Sequence, residues 1–125
     1  MNYQEKLQQL VENNQKKNQR ASAHDSYFYF RGLKDEIEEV EEELKNWKQE
    51  LIEFELVDIF WTAMNLVERL DRDGIIDKNT LYEKAYIKYA ERLPNIAAWE
   101  DSISKEDQDR YWKEAKAKQK KELGL

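Results

Sequence analysis

Phe54-Glu55-Leu56-Val57-Asp58-Ile59-Phe60-Trp61-Thr62-Ala63-Met64-Asn65-Leu66-Val67 is the most apolar run of the chain, and two acids interrupt it. Placed on a helix, its large side chains point all round the circumference, the pattern of a helix covered on every side. Glu55 and Asp58 are one turn apart and share a face of that helix. Burying two ionised carboxylates costs on the order of several kcal/mol each unless cations or donors compensate. The surrounding sequence must provide that compensation.

Working back towards the N-terminus, Tyr27-Phe28-Tyr29-Phe30 opens a helix that continues to about Trp47. Phe30, Leu33, Ile37, Val40, Leu44 and Trp47 recur at intervals of three and four, a seam for packing against another helix. The acid-bearing helix occupies roughly 50–71, with the turn between the two near Asn46 to Gln49. Gly32 costs its helix about 1 kcal/mol relative to Ala and marks a close approach. Asp71-Arg72-Asp73-Gly74 ends the acid-bearing helix. The DRDGIID run has its Gly too early and lacks the closing Glu of a calcium loop, so it is read as an ordinary loop.

Earlier still, residues 3 to about 20 form an amphipathic helix with Tyr3, Leu7, Leu10, Val11 and Asn14 on one side. Ser22 to Ser26 separates it from the next helix. Downstream, Thr80-Leu81-Tyr82-Glu83 and Ser104-Lys105-Glu106-Asp107 match capping boxes. They open helices over about 81–92, ending before Pro94, and from 105 to about Glu122. Lys84, Lys88 and Arg92 recur every four residues as a basic edge beside the stripe of Leu81, Tyr82, Ala85, Tyr86 and Tyr89.

The expected fold is all-α: an antiparallel helical bundle built on a helical hairpin and completed by oligomerisation. The 125 residues are read as one domain, with 95–125 a C-terminal helical extension. The absence of cysteine excludes disulfides, thiolate metal sites and cysteine nucleophiles. A net charge of −6 argues against nucleic acid as a partner. No apolar stretch reaches membrane-spanning length and MNYQEKLQQL does not read as a signal peptide, so a soluble cytoplasmic protein is expected.

The hairpin carries a second pair of acids. Glu36 and Glu39 are one turn apart on the first arm. In an antiparallel pair turning at residue 47, Glu39 lies level with Glu55, and Glu36 with Asp58. Glu36 sits about 60° and Glu39 about 120° from the centre of the apolar seam at 3.6 residues per turn. Both border the interface. Glu38, Glu41, Glu42 and Glu43 are read as a solvated face. Four crowded carboxylates repel unless a divalent cation lies between them, and all-oxygen ligation suits Mg²⁺, with Mn²⁺ as the alternative. Mg²⁺ is usually completed by phosphates and water, which suggests metal-assisted chemistry on a phosphorylated substrate. The competing interpretation needs Lys34, Lys45 or Lys48 as ion-pair partners.

Leu33-Lys34-Asp35-Glu36-Ile37-Glu38-Glu39 followed by Phe54-Glu55-Leu56-Val57-Asp58-Ile59 resembles the E-x-x-E then E-x-x-D signature of the all-α nucleoside triphosphate pyrophosphohydrolases. That superfamily includes the MazG-type enzymes, dimeric dUTPases and phosphoribosyl-ATP pyrophosphohydrolase. Lys88-Tyr89-Ala90-Glu91-Arg92-Leu93-Pro94 is similar to the K-F-x-x-R-F-P stretch of MazG-type proteins. MazG-type proteins commonly carry an Asn shortly before that Lys, where this chain has Ala85 and Tyr86.

The resemblance implies Mg²⁺-dependent cleavage of nucleoside triphosphates to monophosphate and pyrophosphate, with a house-cleaning role on the nucleotide pool. dUTP or phosphoribosyl-ATP is the alternative substrate, and a non-catalytic helical oligomerisation module the alternative of a different class. Carried over, Glu36, Glu39, Glu55 and Asp58 are the metal ligands, and Glu39, with Glu36 beside it, serves the attacking water. Lys88 and Arg92 contact phosphate, with Lys84 added on geometry. Tyr27, Phe30, Trp61 and Asn65 are the candidates for a base or sugar pocket. The same resemblance implies a homodimer or a dimer of dimers.

Overall fold

The computed structural model describes residues 1–100 and 103–125, which form helices and no strand among the described residues. They divide into two compact units, Met1–Lys78 and Asn79–Leu125.

The first unit contains α1 (Tyr3–Lys17), a one-turn α2 (Gln19–Ser22), α3 (Ser26–Asn46) and α4 (Gln49–Arg72). The most extensive packing is α3 on α4, and α1 lies against α4 as well. Asp25 starts α3 by accepting the Phe28 N–H at 2.9 Å. Trp47 stops it by turning left-handed at φ 52°. Only Trp47 and Lys48 separate the two arms, so the hairpin turns at the residue from which the level pairs were counted. Gly74 ends α4 with φ 75°. The Gly74 N–H reaches the Asp71 carbonyl and the Ile75 N–H the Leu70 carbonyl, both at 3.0 Å, which satisfies carbonyls the helix end would orphan.

Gly32 lies opposite Thr62, the register that also sets Glu36 level with Asp58. A Cβ on Gly32 would meet Thr62 Cγ2 at 3.6 Å, an ordinary contact. The close approach is therefore real, yet it leaves room for a methyl group.

Two expectations fail in this unit. The first helix does not run unbroken to residue 20. Asn18 is extended at φ −94°, ψ 110° and its side chain caps the Arg20 N–H at 3.0 Å, which restarts the chain as α2. The inward face of α1 is also only partly the apolar stripe: Val11 is buried and Leu7 and Asn14 are half-buried, but Tyr3 and Leu10 are exposed and Gln15 is buried in their place. The reason is the polar face that α4 offers there. Gln15 Nε2 donates to the Asn65 carbonyl at 3.0 Å and to Asn65 Oδ1 at 3.2 Å. Below it Lys78 Nζ bridges Glu68 at 2.6 Å and Glu12 at 2.9 Å. Those bonds hold the Glu12 carboxyl below its ordinary range, and Lys78 stays above its own despite burial.

The second unit holds α5 (Leu81–Arg92), the one-turn α6 (Pro94–Ala97) and α7 (Lys105–Glu122), with α7 packed on α5. Ser104 caps α7 as expected, accepting the Asp107 N–H at 3.1 Å. Thr80 does not cap α5. It closes a 3-10 turn over Lys78–Thr80 and its backbone is already helical, at φ −100°, ψ −4°, whereas a capping side chain needs extended backbone.

Replacing Gly32 with Ala removes the glycine's penalty and keeps the α3–α4 spacing. Gly32→Ala is expected to stabilise the protein by about 0.5–1 kcal/mol, read as a higher urea midpoint at unchanged slope. A lower midpoint would mean that α3 and α4 approach more closely than 3.6 Å allows.

Candidate metal centre

Glu36 and Glu39 on α3 and Glu55 and Asp58 on α4 converge, each offering one carboxylate oxygen, and all four oxygens lie within 4.8 Å of one another. Glu36, Glu55 and Asp58 are half-buried and Glu39 is exposed, so the cluster opens to solvent on the Glu39 side. The geometry follows from the register: two i, i+3 pairs on antiparallel helices stack as two layers.

No lysine or arginine among the described residues forms an ion pair with any of the four. Lys45 is taken by Glu42 at 2.9 Å, Lys34 lies over the Phe30 ring at 6.0 Å, and Lys48 is exposed. The ion-pair interpretation therefore has no cation to supply. Glu36 Oε2 is shut off from solvent and has no hydrogen-bond partner. Burial, then the hydrogen bond and charge of Glu39, then Asp58 and Glu55, push the Glu36 carboxyl up to about 7. Burial and Glu39 likewise raise Glu55, with Asp58 and Glu43 adding to the effect.

The four acids fit a divalent ion. Two oxygens on one Mg²⁺ stand at most about 4.2 Å apart, and on one Ca²⁺ about 5.2 Å, from ordinary metal–oxygen distances. The observed spread of up to 4.8 Å needs a contraction of only about half an ångström around Mg²⁺. The donor set is all oxygen, and Glu36 offers an orphaned one.

The remaining candidates are placed differently. Lys84 and Lys88 are exposed on α5, with Lys88 Nζ 5.7 Å from the Tyr89 ring centre. Arg92 departs from the expected edge: it is 8% exposed, its guanidinium lies 4.9 Å from the Trp112 ring, and its Nε donates to Gln119 at 3.0 Å. Tyr27 and Phe30 are exposed, Trp61 is half-buried and Asn65 is buried. Asn65 donates to the Trp61 carbonyl at 2.8 Å besides accepting from Gln15, which makes it part of the α1–α4 packing. His24 stacks on Phe28 at 3.6 Å. Glu43 departs from the solvated face assigned to it and is half-buried. Its position one turn beyond Glu39 was a signal in the sequence for this.

The Glu36 pKa lies above the ordinary 4.5, so between about pH 4.5 and 7 the native state keeps a proton that the unfolded chain has released. That contribution lowers stability as pH rises through the window. In chelator, the stability of wild type relative to Glu36→Gln should therefore fall from pH 4.5 to 7 in urea titrations. Equal pH slopes for the two proteins would contradict a raised Glu36. A divalent ion competes with that proton and should bind more tightly as pH passes 7.

Residues 25–97, more than half of the chain, match the MazG nucleotide pyrophosphohydrolase domain family, and the matched span includes all four acids. No curated protein and no solved structure matches the chain. The two-layer acid cluster and this match agree with the resemblance in the motifs, and the chain belongs to the MazG nucleotide pyrophosphohydrolase domain family.

Proposed function

We propose that the protein is a Mg²⁺-dependent nucleoside triphosphate pyrophosphohydrolase that cleaves (d)NTPs to (d)NMP and pyrophosphate and so cleans the nucleotide pool. The observation that carries this reading is the convergence of Glu36, Glu39, Glu55 and Asp58 with no cationic side chain among them. Glu36, Glu39, Glu55 and Asp58 would hold the ion. When bound, the ion neutralises polyphosphate charge and favours departure of pyrophosphate.

The chain's own part is proton transfer and positioning. Glu39, the most exposed of the four, would take a proton from water as the water oxygen attacks the α-phosphorus. The Pα–O bond to the β-phosphate breaks and pyrophosphate leaves with the bonding electrons. Glu36, whose carboxylate converges with that of Glu39, would steady it. Lys88 and Arg92 are carried over from the resemblance as partners of phosphate oxygens, and Lys84 is added on its helical spacing alone. Tyr27, Phe30 and Trp61 offer aromatic surface for a base.

Glu55→Gln and Asp58→Asn should each abolish pyrophosphate release, by at least about 100-fold, while keeping wild-type helicity. Release assayed across common and modified (d)NTPs, dUTP and phosphoribosyl-ATP identifies the substrate. Wild-type activity in both variants would end this reading.

A homodimer is part of the same proposal. Phe54, Val57 and Phe60 on α4 are 66%, 54% and 60% exposed, and Ile37 on α3 is 51% exposed. The expected cover on every side of the 54–67 run is thus missing within one chain, because α3 and α1 cover only part of α4. Exposed apolar surface of this extent on the hairpin suits a second copy of the same hairpin. Phe60→Glu is expected to shift the protein towards monomer in analytical ultracentrifugation. A wild-type protein that is monomeric at tens of micromolar would exclude the dimer.

A further inference from the structure

Glu43 stands one turn beyond Glu39 on the same side of α3. Its neighbours Glu41 and Glu42 are exposed, and Glu42 is paired with Lys45 at 2.9 Å. Glu43 is half-buried instead, and its Oε2 is closed to solvent with no hydrogen-bond partner. Leaving a buried acceptor without a donor is costly, more so for a charged one. The protein carries that cost one layer above the four acids. Lys34 and Lys45 are engaged elsewhere and Lys48 is exposed, so no side chain in this stretch supplies the donor. Water held on a divalent ion does supply one: such waters are polarised donors, and carboxylates beyond the direct ligands commonly receive them.

We propose that Glu43 is a positioning residue of the metal centre, accepting a hydrogen bond from water on the ion held by Glu36, Glu39, Glu55 and Asp58. The inference rests on the metal-dependent reading above and adds a residue that the E-x-x-E and E-x-x-D motifs do not contain. Glu43 acts through the ion's hydration and not on the substrate, so its loss changes metal affinity more than the rate at saturating metal.

The test uses the full chain, with Mn²⁺ binding followed by electron paramagnetic resonance, and metal-free stability followed by urea denaturation. Glu43→Leu should weaken Mn²⁺ binding about 10-fold, the lower end of the effect of removing an outer partner. The same substitution should make the metal-free protein more stable, since it removes an unpaired acid. A purely structural role would not move the two readouts in opposite directions. At saturating Mg²⁺ the loss of pyrophosphate release should be smaller than the loss of Mn²⁺ affinity, with the Mg²⁺ requirement raised in step with affinity.

Glu43→Gln, which keeps the side-chain shape, serves if the leucine variant does not fold, and should weaken Mn²⁺ binding severalfold. Wild type that binds Mn²⁺, Glu55→Gln that does not, and Glu43 variants that bind as wild type would overturn the role of Glu43 alone. Wild type that takes up no Mn²⁺, with or without a non-hydrolysable nucleotide, would overturn the metal-dependent reading and this inference with it.

Discussion

Four carboxylates held against one another at the seam of a helical hairpin are the constraint on which the first unit depends. Like charges at this separation repel, and partial burial strengthens the repulsion by thinning the water that screens it. A helix pair can tolerate such a layer only if the rest of its contact fixes the register, because a slip by one residue would rotate the acids apart. That fixing comes from the Gly32–Thr62 approach and from the short Trp47–Lys48 connection. The left-handed Trp47 carries a backbone cost of about 1 kcal/mol for a non-glycine residue, and it is 80% exposed, so its side chain recovers little by packing within the chain. The turn is held by the helices that meet there and not by its own residues.

The same constraint makes the hairpin legible in the sequence. Acid pairs spaced i, i+3 on both arms, level about one residue, leave few alternatives to a two-layer cluster, and the turn was located independently from where the first apolar seam ended. Asp25, Gly74 and Ser104 declare helix ends through chemistry that is local to a few residues, and all three do so in the structure. Thr80 failed for a reason equally local but invisible in the letters: a preceding 3-10 turn had already committed its backbone.

What sequence reasoning missed came from long-range pairing. Hydrophobicity alone turns Leu10 and Val11 inward on α1, yet its deepest residues include Gln15 at 0% exposure, because its partner surface on α4 is Asn65 and Glu68. Nothing within α1 announces that partner. Lys78 lies ten residues beyond Glu68 and sixty-six beyond Glu12, so the ion bridge that makes Glu68 tolerable in the interior is set by tertiary structure alone. Arg92 differs likewise: its i, i+4 spacing from Lys88 suggests an exposed edge, whereas the aromatic face of Trp112 draws it inside the second unit.

These two kinds of buried charge differ in a way that bears on function. Glu68 is 2% exposed and stands 2.6 Å from Lys78, so its charge is answered within the protein and no ligand is needed. Glu36 is less buried, yet its Oε2 has no donor and its pKa is displaced towards neutrality. A protein that can build the first arrangement at the α1–α4 contact had the means to build it at the α3–α4 contact, where Lys34, Lys45 and Lys48 lie on the same stretch of chain. Lys34 and Lys45 are engaged elsewhere and Lys48 is exposed. The acids left unanswered along the hairpin are a feature of how the chain distributes its cations, and a site kept short of positive charge has a preference for binding it.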